Sequence, residues 1–63
     1  MIVILKHNVT DEKRDRLIDW LKSRNLGVYV SVGAYHTVLG LIGDTASLDM
    51  DLIASLDIVE SVK

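Results

Sequence analysis

Apolar and polar positions along the chain change period several times, and each change marks an element. The stretch from Gly33 to Asp44 holds a short β-branched and aliphatic run between glycines, which reads as a buried strand rather than a helix. Val38 and Ile42 fall on one alternating face, Leu39 and Leu41 on the other. A strand apolar on both faces belongs mid-sheet with something packed on each side, so a charge at Val38 or at Leu39 is expected to unfold the domain. Gly40 within it signals close backbone approach or a bulge. Met1–Lys6 has the same two-faced aliphatic character, and His7-Asn8-Val9 turns the chain. Gly27–Val32 alternates instead, with Val28, Val30 and Val32 on one face and Tyr29 and Ser31 on the other, the pattern of a half-buried strand. Gly33-Ala34-Tyr35 then connects it to the next strand as a hairpin.

Two stretches change to helical spacing. Thr10 is a good N-cap followed by Asp11 and Glu12, where the helix dipole favours acids, and Leu17, Ile18 and Leu21 form a narrow stripe with Trp20 at its edge. Asn25 suits the left-handed residue that ends a helix, with Leu26 folding back. After Gly43-Asp44, Leu48, Leu52, Ile53 and Leu56 keep helical spacing behind a cap at Thr45 or Ser47, and Ile58–Lys63 is the last strand. The order β-α-β-β-α-β is that of an α+β, ferredoxin-like sandwich: one four-stranded antiparallel sheet with two helices on one face. Residues 1–63 form a single domain on this reading, and one sheet face is left bare.

Composition sharpens that point. An apolar content of 49% is high for 63 residues, so the core is dense or apolar surface awaits a partner. There is no cysteine, hence no disulfide and no thiolate metal site. Net charge is −2, which gives no nucleic-acid footprint. Residues 1–33 hold six of the seven Lys/Arg against four of the nine Asp/Glu, whereas residues 34–63 hold one against five. This division fits two solvated helices of different composition or, alternatively, a dipolar domain that pairs head to tail with a second copy or another domain. No apolar run approaches a membrane span, and Met1–Lys6 lacks the basic leader of a secretion signal, so a cytoplasmic location is expected.

Catalytic chemistry is not apparent. His7 and His36 each lie near a strand end with no third ligand at metal spacing, and no base neighbours the serines. The central strands carry Ile, Val and Leu where nucleic-acid-binding sheets of this plan carry aromatics. No catalytic residue, metal or cofactor is expected. Without further information the residues describe a small α+β domain with an exposed sheet face, which suits a free-standing module that self-associates through its sheet without a ligand.

The pieces Met1–Lys6, Thr10-Asp11-Glu12, Asn25-Leu26, Val30-Ser31-x-Gly33, Thr37–Asp44 and Ser55-Leu56-Asp57-x-Val59-Glu60-Ser61-Val62 together resemble one known module. It is the N-terminal ferredoxin-like, ACT-like regulatory domain of microbial 3-deoxy-D-arabino-heptulosonate-7-phosphate (DAHP) synthase, and the likeness runs through all 63 residues. The family's enzyme condenses phosphoenolpyruvate with erythrose 4-phosphate on a metal-dependent (β/α)8 barrel outside this module. The resemblance implies an allosteric role in the shikimate pathway. Tyrosine or phenylalanine would bind between two such domains for feedback inhibition, and the pair would dock over the barrel entrance. It further implies a ligand site at Tyr29, Ser31 and Gly33, with Leu39 and Leu41 as an apolar wall. Tyr29 stands where the family can have a histidine, and the turn His7-Asn8-Val9 lacks the Pro-Gly often found there.

Overall fold

A computed structural model describes residues 1–63. Four strands, β1 (Ile2–Leu5), β2 (Gly27–Val32), β3 (Thr37–Ile42) and β4 (Val59–Val62), form one antiparallel sheet in the order β2-β3-β1-β4. Helices α1 (Asp11–Lys22) and α2 (Met50–Ala54) connect them in the expected α+β ferredoxin-like plan, with β1 and β3 central.

The register assigns the faces. Val30, Leu39, Val3 and Val62 lie in one cross-strand row, and the neighbouring row Ser31, Val38, Ile4 and Ser61 points the other way. Val3, Leu5, Leu39 and Leu41 are buried in one core cluster with Leu17, Leu21 and Ile53 of the helices, Leu26 and Val59. That row therefore faces the helices, and Val38 and Ile4, only partly buried, face away. The expectation that Val38 is core is corrected: a strand central within the sheet need not be covered on both faces when the helices take only one. Gly40 lies in regular register with no bulge, and a Cβ there would meet the Tyr29 Cβ at an ordinary 3.5 Å. The sheet's irregularity lies instead between β1 and β4, where Ile4 pairs with Ser61 but Leu5 pairs with Val59. Glu60 is the extra residue, which lets Val59 bury although it is three residues from the inward-directed Val62.

Helix α1 begins as its sequence dictates, with the Thr10 hydroxyl accepting from the Lys13 N–H at 3.3 Å. Asn25 takes a φ of 64° beyond its end, and Leu26 tucks into the core. The second helix differs from expectation. Thr45–Ser47 form a single 3₁₀ turn, and the cap of α2 is Asp49, whose carboxylate accepts from the Leu52 N–H at 3.1 Å. The apolar spacing of Leu48, Leu52, Ile53 and Leu56 extends past both ends of the hydrogen-bonded helix, so periodicity overstated its length. Gly43, at φ +122°, makes the reversal out of β3 beneath Leu26, a conformation that suits glycine.

Candidate functional site: the open sheet face

The helix-free face is built by residues of alternate parity on each strand. Across the sheet, Ser31 of β2 neighbours Val38 of β3, then Ile4 of β1, then Ser61 of β4. The next row runs from Tyr29 through Gly40 to Ile2, whose backbone exchanges hydrogen bonds with Lys63. Ile42 lies beside Gly27 in the row beyond. Tyr29 is 74% exposed, Ile42 62% and Ile2 46%. Gly40 places no side chain between Tyr29 and Ile2, with Val38 and Ile42 along the same strand. An apolar floor with hydroxyls at its β2 margin is thus open to solvent, an arrangement suited to holding an aromatic ring flat while polar groups orient its ends.

Of the residues singled out from sequence, the structure brings Tyr29 and Ser31 together on this face. Gly33 follows them at the hairpin, where its N–H donates to the His36 carbonyl at 2.9 Å. A Cβ at Gly33 would come within 2.8 Å of that same carbonyl oxygen, so the hairpin itself demands the glycine. Leu39 and Leu41 do not join them. They lie on the helix side, 0% and 5% exposed, and the apolar wall next to Ser31 is Val38, Ile4 and Ile2 instead. The pleat decides this: Leu39 pairs with Val30, and Val38 with Ser31. Parity counted across the hairpin from the Gly33–His36 closure would have found the correct wall.

His36 is better tied down than a strand-end histidine need be. Its Nδ1 lies 3.1 Å from the Leu5 carbonyl oxygen, linking the β2–β3 hairpin to the end of β1. No group of three or more His, Asp or Glu is assembled that could hold a metal ion. No helix is long and apolar enough to cross a membrane. A depression of about 270 Å³ lies between the helices, lined by Leu17, Trp20, Leu52, Ile53 and Leu56. It arises because α2 is five residues long and leaves Leu52 half exposed. The spacing that suggested a longer helix concealed it.

The chain matches the family described as the DAHP synthase ferredoxin-like domain over residues 1–63. It is 42% identical over 62 residues to the phospho-2-dehydro-3-deoxyheptonate aldolase of Thermotoga maritima, covering 98% of this chain and 18% of that protein. The crystal structure of the Thermotoga maritima phospho-2-dehydro-3-deoxyheptonate aldolase (DAHP synthase) superimposes with a TM-score of 0.84 at 40% identity, over 95% of this chain and 18% of that one. The chain thus spans about a fifth of the length of the relative it matches. Matched end to end by that family and sharing its fold, the chain belongs to the ferredoxin-like domains of DAHP synthase.

Proposed function

We propose that this domain is the allosteric sensor of a DAHP synthase, binding tyrosine or phenylalanine on its open sheet face for feedback inhibition. The observation that carries the proposal is the uncovered apolar face itself, with Ser31 and Tyr29 at its margin and Gly40, without a side chain, between Tyr29 and Ile2. The effector's ring would lie against Ile2, Val38 and Ile42, with the Ser31 hydroxyl in reach of a phenol. A second domain of the same kind would close the site from above, since one sheet face alone covers only one side of a ring. Docking of such a pair against a catalytic barrel would convert effector binding into inhibition. Gly33 serves by shaping the hairpin that holds Ser31 in place, and Leu39 and Leu41 by stiffening β3 from behind.

Calorimetric titration with tyrosine, phenylalanine and leucine tests the proposal. Saturable binding of an aromatic amino acid, with leucine silent, is the expected result. Equal response to all three, or none, contradicts it.

A further inference from the structure

The helix layer carries a furrow of its own. Leu17 and Trp20 of α1 and Leu52, Ile53 and Leu56 line the depression of about 270 Å³ between the helices. It runs on past Leu17 and Leu56 to Lys13 and Asp57, whose side chains lie 4.0 Å apart. Outside the sheet and its hairpin, the exposed large apolar side chains are Met50 and Leu52 of α2, at 45% and 50%. The helices therefore leave apolar surface open on their outer side, away from the bare sheet face.

Charge is arranged around this furrow in matching order. Along α1, Lys13, Leu17, Trp20 and Arg24 recur at helical spacing and read base, apolar, apolar, base. Arg24 follows the helix end, with its guanidinium 5.0 Å from the Trp20 ring centroid. By the same spacing Asp15 and Asp19 fall on the far side of α1, and Glu12 and Arg16 pair with each other at 2.7 Å. The α2 segment reads acid, apolar, acid: Asp49 and Asp51 at its start, Leu52, Ile53 and Leu56 in the middle, Asp57 past its end. The two segments run antiparallel. Lys13 meets Asp57 at one end, and at the other Gly43, which leads towards α2, lies beside Leu26, which follows α1.

We propose that the furrow receives α2 of a second copy, about a two-fold axis running along it. Such an axis sets each α1 over the partner's α2, and an isologous contact follows because both copies offer the same surface. Lys13 then faces the partner's Asp57, Arg24 faces the partner's Asp49 and Asp51, and the partner's Leu52 enters the depression beside Trp20. A two-fold axis across the furrow would instead set α1 over α1 and bring Lys13 against the partner's Arg24, so charge selects between the two arrangements. The sheet's open face and both its edges stay free. The contact needs no amino-acid effector and does not depend on the proposed regulatory function.

Trp20 is the only tryptophan, so its emission reports this surface. The test follows that emission for the 63-residue chain from micromolar to millimolar concentration, with no amino acid added. Wild type and Ile42→Lys, which is altered on the open face, should shift to shorter wavelength alike as concentration rises. Leu52→Lys should weaken the association about tenfold or more. Lys13→Glu and Asp57→Lys should each weaken it, and an equimolar mixture of the two should recover it, because each supplies the charge the other lacks. Those two side chains are 57% and 85% exposed, so the charge variants keep the fold even if Leu52→Lys does not. Four results overturn the proposal: emission independent of concentration, a shift that survives Leu52→Lys, a shift lost in Ile42→Lys, or a mixture no better than its components.

Discussion

Neighbouring residues on β3 have opposite fates. Leu39 is fully buried against the helices, and Val38, next to it, is half-buried on the open face. Leu39→Asp should abolish the folded state, because an unpaired buried charge costs several kcal/mol in a domain whose whole stability is of that order. Leu39→Ala should cost about 2–5 kcal/mol. Val38→Asp should leave a cooperative thermal transition intact, since its carboxylate can reach water. Circular dichroism melts of the three variants check the face assignment, and loss of folding in Val38→Asp would contradict it. Gly33 offers a second single-residue check. Gly33→Ala sets a Cβ 2.8 Å from a backbone oxygen that cannot swing aside, so a loss of about 1–3 kcal/mol in denaturant unfolding is expected. Ser31 is the residue where specificity should appear. One neutral hydrogen bond is worth about 0.5–1.5 kcal/mol net, so Ser31→Ala should weaken tyrosine by about tenfold or less and leave phenylalanine nearly unchanged.

Elements whose signals were local were legible in the sequence. Helix α1 follows from Thr10, the acids after it and the Leu17, Ile18 and Leu21 stripe, and ends near Asn25 as its chemistry requires. β2 follows from valine alternation, and β3 from its two-faced aliphatic run between glycines. The start of α2 was misread because Thr45, Ser47 and Asp49 are all competent caps, and it is the Asp49 carboxylate that accepts from the Leu52 N–H. Asp49→Ala should accordingly cost about 1 kcal/mol, or roughly 4–8 °C in Tm, and Thr45→Ala much less. The Glu60 bulge was illegible for a related reason: Val59-Glu60-Ser61-Val62 alternates in no consistent way, and pairing with β1 decides where the extra residue goes. The candidate site shows the same limit. Tyr29 and Ser31 could be placed on one face from their own strand, but their cross-strand neighbours depend on hairpin register. That is why Leu39 and Leu41 were expected in a wall formed by Val38, Ile4 and Ile2.

At the scale of the whole molecule, one sheet carries two helices on one side and a bare apolar surface on the other, in a family attached by name to DAHP synthase. The central claim is that the bare surface receives an aromatic amino acid between two domains. It is tested most directly by an NMR shift titration with tyrosine and with phenylalanine at two protein concentrations. Shifts should cluster at Tyr29, Ser31, Gly40 and Ile42, and apparent affinity should rise with protein concentration, because binding that needs a second domain is linked to association. Shifts confined to the helix side, or none at millimolar ligand while the protein is dimeric, would contradict the account.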